Sequence, residues 1–163
     1  MRIGVDFDRV LFKTDKFNEY LKDDVEGLEH VDASPYNEHG VYDPEIHAEL
    51  CGIEVEKIYS VMQNLERFLY SDVDELENSE HEIILVSRGS REFQMHKIEG
   101  SEADQFVDKI FIVEKGPKNV GEIDFLIDDR KKELEDAEVP GFELDREIHS
   151  LKDGLKEAEK HET

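Results

Sequence analysis

Residues 1–12 read MRIGVDFDRVLF, and the fold turns on how this stretch is read. Arg2 to Val5 is short, apolar and β-branched, the composition of a buried strand. It runs straight into Asp6-Phe7-Asp8. Side chains alternate along an extended chain, so these two carboxylates point the same way, beyond the sheet edge. Like charges repel and need a cation or a proton between them. Mg²⁺ with oxygen ligands is the simplest such cation. A strand ending in Asp-x-Asp therefore predicts a site where one Asp attacks and the other handles protons. The plainer alternative is an acidic turn on the surface of an acidic protein.

Beyond this stretch, Phe17, Tyr20, Leu21, Val25 and Leu28 recur at helical spacing, with Thr14 placed to cap the helix. Residues 31–44 carry two prolines, a glycine and turn formers, so they read as a loop holding Tyr36, His39 and Tyr42. Packing explains such aromatics more often than substrate contact does. Pro44 opens another helix and Gly52 closes it. Ile58, Val61, Met62, Leu65 and Leu69 predict a third helix over residues 55–70. Residues 15–71 thus read as wholly helical. A short helix is expected over residues 75–79, then a strand in the apolar run Glu82 to Ser87. A helix over 92–99 precedes a strand at KIFIV, residues 109–113. Another strand at residues 124–127 ends in Asp128-Asp129-Arg130. An edge strand at GFEL follows. Ile148, Leu151, Leu155 and Ala158 then mark the apolar side of a C-terminal helix.

Strands alternating with helices predict an α/β fold, a Rossmann-like parallel sheet flanked by helices. The domain division is 1–14 and 72–163 for the α/β core, and 15–71 for a helical cap inserted after the first strand. Parallel strands present their carboxyl ends at one edge, where ligands bind. Four of the expected strands end there in Asp6 and Asp8, in Ser87, in Lys115 or Lys118, and in Asp128 with Asp129. One acidic turn arises easily by chance; four chemically matched strand ends in order do not.

The chain carries 43 acidic and 20 basic residues, a formal charge of −23. That balance argues against a nucleic acid polymer as partner, since phosphates need Lys and Arg, and against anionic lipid. The acid is spread along the chain, as on a solvated surface, and adaptation to a high-salt, halophilic interior is one explanation. Cys51 stands alone, which points to a reducing compartment. With no long apolar run and no signal-peptide pattern, the expectation is a cytoplasmic protein with no membrane partner. Nothing in the sequence indicates an oligomeric state.

The motif order resembles the haloacid dehalogenase superfamily, its phosphatase branch in particular. The first motif of that family is matched by Asp6-Phe7-Asp8-Arg9-Val10-Leu11, the second by Ser87, the third by a lysine and the fourth by Asp128-Asp129. The likeness covers residues 1–14 and 72 to about 135, and residues 15–71 sit where the family often inserts a helical cap. It implies a Mg²⁺-dependent phosphomonoester hydrolase. Asp6 would form an aspartyl-phosphate, and Asp8 would act as general acid and base. Mg²⁺ would be held by Asp6, the Asp8 backbone carbonyl and Asp129, with Asp128 as a direct or water-mediated partner. Ser87 would bind a phosphate oxygen. Lys115, directly after its strand, is favoured as the lysine over Lys118. The spacing of Lys118 to Asp128 and the segment Asp124 to Arg130 resemble the 5'(3')-deoxyribonucleotidase branch. A small phosphorylated metabolite, with a nucleoside monophosphate as one case, is the implied substrate. Arg9 stands where relatives usually have glycine; it, Arg88 and Gly89 are candidate substrate contacts. The alternative is a phosphate- or metal-binding protein of weak catalysis, or a receiver-like regulator on a similar fold.

Overall fold

Apolar, β-branched runs become the strands of one sheet: β1 (Arg2–Val5), β2 (Glu82–Arg88), β3 (Lys109–Val113), β4 (Phe125–Asp128) and β5 (Gly141–Glu143). The computed structural model describes residues 1–31 and 35–162. Asp32, Ala33 and Ser34 of the expected loop, and Thr163, lie outside the described residues. The strand order is β3-β2-β1-β4-β5, and every neighbouring pair is parallel. This is the Rossmann-like sheet expected from the sequence. A receiver-type sheet runs 2-1-3-4-5, so the order here is a different one.

Helices cover both faces, which is why the strands are continuously apolar. On one face Ile3, Val5, Ile83, Leu85, Phe125 and Ile127 join Phe93 and Ile98 of α4 (Arg91–Gly100) and Leu151, Leu155 and Ala158 of α6 (Leu151–Glu159). On the other, Ile84, Val86 and Leu126 meet Ala137 of α5 (Lys131–Ala137).

The stretch between β1 and β2 holds α1 (Thr14–Asp24), α2 (Pro44–Cys51) and α3 (Glu56–Tyr59). Its Leu21, Val25, Leu28, Ala48, Ile58, Met62 and Leu65 belong to the same apolar core as the sheet. Leu65 N–H donates to the Gly100 carbonyl at 2.8 Å, and a side chain at Gly100 would strike the Met62 carbonyl at 2.6 Å. Residues 62–65 are thus packed directly on the end of α4.

The structure departs from the expected elements at four places. The helix over 55–70 is only the single turn α3, followed by irregular chain and a 3₁₀ turn at Glu66–Phe68. Asn64 adopts φ 53°, which helix geometry forbids, yet Ile58, Met62 and Leu65 are still buried. The expected helix at 75–79 is a 3₁₀ turn, Val73–Leu76. Thr14 does not cap α1; its hydroxyl is drawn instead to Asp8 at 2.9 Å. Ile148 precedes α6 and is 74 % exposed, so it is not part of that helix's apolar face.

Candidate active site

Register carries the first motif to its partners. Val5 pairs with Ile127 across the sheet, and Asp6 N–H donates to the Ile127 carbonyl at 2.9 Å. Asp6 therefore stands beside the end of β4, where Asp128 and Asp129 emerge. Carboxylate oxygens of Asp6, Asp128 and Asp129 all lie within 4.8 Å of one another. Lys118 enters between them: its Nζ donates to Asp6 at 2.8 Å and to Asp128 at 2.6 Å, with Glu133 at 3.4 Å.

Of the two candidate lysines, the structure brings Lys118 and not Lys115 against Asp6. Lys115 is exposed on the loop after β3, while Lys118 is 2 % exposed and in contact with Asp6. β3 ends at Val113, the chain turns outward through Gly116 at φ 82°, and Lys118 returns inside. Gly116 takes a left-handed conformation there that a side chain would strain.

One ammonium among three close carboxylates is too little positive charge. Burial drives the Asp6 carboxyl well above its ordinary range; Lys118 pulls it back, while Asp128, Asp129 and Asp8 add to the rise. Burial likewise raises Asp128 against the pull of Lys118. Lys118 itself is raised above its usual value; burial opposes its charge, but Asp6 and Asp128 outweigh burial. A cluster of carboxylate oxygens short of positive charge fits a hard divalent cation of the Mg²⁺ kind by ligand type.

Asp8 lies across the pocket from this cluster and is held differently. The loop closes on itself through Leu11 and Phe12 N–H groups, both donating to the Phe7 carbonyl. Lys97 Nζ donates to Asp8 Oδ1 at 2.7 Å, Gln94 Nε2 to Oδ2 at 2.8 Å, and Thr14 Oγ1 to Oδ1 at 2.9 Å. Burial opposes ionisation, but Lys97, Gln94 and Thr14 outweigh it and keep Asp8 below the usual carboxylate range.

The remaining predicted residues scatter around this centre. Ser87 is fully buried and its Oγ meets Gln94 Nε2 at 2.5 Å. Arg88 makes a fork to Glu133 at 2.9 and 3.1 Å and a bond to the Gly116 carbonyl at 2.6 Å. Arg9 sits at φ 64°, the region that favours glycine, and its guanidinium pairs with Asp15 at 2.9 Å. Gly89 leaves room for Gln94, whose Cγ would lie 2.6 Å from an added Cβ.

A cavity of about 490 Å³ opens over the site; Asp6, Asp8, Arg9, Arg88, Gly89, Lys118 and Asp129 line its floor and sides. Tyr36, Val41 and Tyr42 from the 35–43 loop and Leu21 and Leu28 from the α1 region form the opposite wall. Tyr42 O–H and His47 Nδ1 are 2.7 Å apart, and its ring lies 5.1 Å from that of Phe93. Tyr36 is 53 % exposed at the mouth. His39 faces Glu114, at 3.8 Å, and is not among the residues of this wall.

Sequence reasoning missed Lys97, Gln94 and Glu133. Two carried a signal. Lys97 falls four residues after Phe93 and just before Ile98, a charge on the apolar face of α4. Glu133 lies in the first turn of α5, directly after the double acid.

No family model matches the sequence, and no curated protein does. Thirty-two chains of solved structure match it in fold. A candidate haloacid dehalogenase-like hydrolase of Burkholderia xenovorans LB400 aligns with TM-score 0.62 at 15 % identity, over 83 % of this chain and 77 % of its own. A candidate beta-phosphoglucomutase of Thermotoga maritima aligns with TM-score 0.54 at 19 % identity, over 97 % and 90 %. A candidate HAD-hydrolase of Bacillus subtilis, YfnB, solved bound to magnesium, aligns with TM-score 0.52 at 13 % identity, over 86 % and 84 %. The fold is that of the haloacid dehalogenase-like hydrolases, as the motif order implied. Among the described residues no helix is long and apolar enough to cross a membrane.

Proposed function

We propose that this chain is a Mg²⁺-dependent phosphomonoester hydrolase working through an aspartyl-phosphate on Asp6. The observation that carries this reading is the Asp6–Asp128–Asp129 cluster with Lys118 inside it, at the floor of a cavity of about 490 Å³. Asp6, Asp129 and the Asp8 carbonyl would hold the metal, with Asp128 as direct or outer partner. Bound there, Mg²⁺ supplies the positive charge that lets an anionic phosphoryl group approach a carboxylate.

An Asp6 carboxylate oxygen attacks phosphorus, and the bond from phosphorus to the leaving oxygen breaks. Lys118 neutralises Asp6 and the phosphoryl oxygens together. Asp8 gives the leaving oxygen its proton. Water then attacks the aspartyl-phosphate, Asp8 takes the water's proton, and inorganic phosphate leaves. Asp8 is held ionised by its three donors, which suits the second step. In the first, the negative phosphoryl group beside it raises its hold on a proton. Ser87, behind Gln94, acts here as an anchor for that amide; its contact with phosphate requires Gln94 to shift.

The wall formed by Leu21, Leu28, Val41 and Tyr42 supports a lid role for the insert, which would select the organic part of a small phosphorylated metabolite. A nucleoside monophosphate fits such an apolar wall above a charged floor. The lone Cys51 fits a reducing, cytoplasmic setting. Excess EDTA should abolish hydrolysis of para-nitrophenyl phosphate, and added Mg²⁺ should restore it. Full activity in EDTA would refute the site, and a panel of phosphometabolites would name the substrate.

A further inference from the structure

Helix α4 buries a lysine that the nucleophile cluster does not use. Lys97 is 4 % exposed, and its Nζ lies 5.0 Å from the ring centre of Phe93 and 5.8, 5.9 and 6.0 Å from those of Phe7, Phe12 and Phe17. A buried ammonium is costly unless it is paired, and ring faces offset only part of that cost. Its partner is the Asp8 carboxylate at 2.7 Å. Asp8 follows the strand on a tight loop, so its backbone does not fix where the carboxyl points. Lys97 and Thr14 both hold Oδ1 while Gln94 holds Oδ2, so donors from α1 and α4 set the plane of the group. Gln94 is itself tied to Ser87 and seated in the space that Gly89 leaves open. The Asp8 side chain remains 20 % exposed, toward the cavity it lines.

We infer that Lys97 is a positioning residue for proton transfer: its ammonium holds the Asp8 carboxyl in the orientation from which it serves the leaving oxygen. The inference rests on the aspartyl-phosphate reading of Asp6 and Asp8. The proton moves from Asp8 to the leaving oxygen as the phosphorus–oxygen bond breaks. Asp8 regains a proton from the attacking water, and Lys97 passes no proton in either step. The bland alternative is an ion pair that only fastens α4 to the loop.

The two differ in their dependence on the leaving group. Help with proton transfer matters for an alkoxide and little for nitrophenolate. The full chain with Mg²⁺ is assayed for kcat/KM, which reports transfer to Asp6, on n-propyl phosphate and on para-nitrophenyl phosphate. Lys97→Met should lose about tenfold or more beyond its loss on the nitrophenyl ester when the alkyl ester is the substrate, within the range of general-acid effects. Added to Asp8→Asn, the same change should cost less than about twofold more on the alkyl ester, because the two act as one unit. Equal losses on both esters, adding in full to Asp8→Asn, would overturn the inference and leave a structural ion pair. Lys97→Arg keeps the charge but displaces it. It serves as the second variant if the methionine chain does not fold, and an unaltered ratio between the esters would again overturn the inference. An Asp8→Asn chain that itself shows no leaving-group dependence would sink the underlying reading, a different result from a silent Lys97.

Discussion

Lys118 and Lys115 lie three positions apart, and only one reaches the site. Nothing in residue type separates them; the turn at Gly116 does, by sending Lys115 into solvent and Lys118 back between Asp6 and Asp128. A loop path of this kind is not written in hydrophobic periodicity, which is why spacing from the strand end favoured the lysine that the fold leaves in solvent. Asp6, Asp128 and Asp129 were legible because strand ends are easy to locate. Arg9 was legible only as an oddity, and its φ of 64° now supplies the physical reason a glycine would suit that position. Removing one partner of a buried ion pair typically costs about 3–5 kcal/mol. Lys118→Met should therefore destabilise the fold by about that much in metal-free buffer, and Mg²⁺ should recover part of it by replacing the lost charge. Lys115→Met should stay within about 0.5 kcal/mol, as surface changes usually do. Denaturant melts of both variants with and without Mg²⁺ check this. Equal destabilisation of the two would contradict the assignment.

Arg146 shows how one element is fastened to another. Its guanidinium donates to the Val10 carbonyl at 2.6 and 2.9 Å and to Asp72 at 2.7 Å, while its carbon lies 4.2 Å over the Tyr70 ring. Asp72 also accepts the Leu151 N–H at 2.8 Å, tying the start of α6 to the chain just after residue 71. Burial opposes the charge on Asp72, but Arg146 and the Leu151 N–H outweigh it and lower its pKa. A carboxyl lowered on folding contributes stability above its unfolded value of about 3.9, and that stability fades as pH falls through the folded value. Asp72→Asn should thus be destabilising at neutral pH, and the gap from the parent should close on acidification below about pH 4. Melts from neutral to acidic pH measure it; a gap independent of pH would exclude the ion pair as its source. The elements that the apolar pattern placed well, β2, α4 and β3, are those whose apolar residues pack within one regular strand or helix. It failed over residues 55–70, where burial of Ile58, Met62 and Leu65 is met by irregular chain bonded to Gly100. Tertiary contact, not local propensity, fixes the backbone there.

At the scale of the whole molecule the charge of −23 is the dominant fact. The cavity over the site runs against it: Arg9, Lys22, Arg88, Lys97, Lys118 and Arg130 line it, beside five acids. Positive groups are gathered where an anionic substrate would enter, in a molecule with twice as many acids as bases. Elsewhere the unbalanced acid repels itself, and the repulsion is screened by salt. Stability should rise between low and molar KCl; equal unfolding midpoints in both would remove any tie to a high-salt interior. The convergence of distant residues on one sheet edge was readable because parallel strands place their carboxyl ends together. The pairing of Lys97 and Gln94 with Asp8 was not, because both come from the buried side of a helix whose rotation no strand motif sets.

In the proposed mechanism Asp6 takes the phosphoryl group and Asp8 passes protons. Asp8→Asn keeps the backbone carbonyl but neither gives nor takes a proton, so breakdown of the phosphorylated enzyme should slow by about 10²–10⁴-fold. Incubating that variant with Mg²⁺ and para-nitrophenyl phosphate, followed by rapid quenching and peptide mass analysis, locates the phosphate. The phosphate is expected on Asp6, and is expected to be lost in the Asp6→Asn/Asp8→Asn double variant. A phosphate on Ser87, or undiminished turnover by Asp6→Asn alone, would contradict the account.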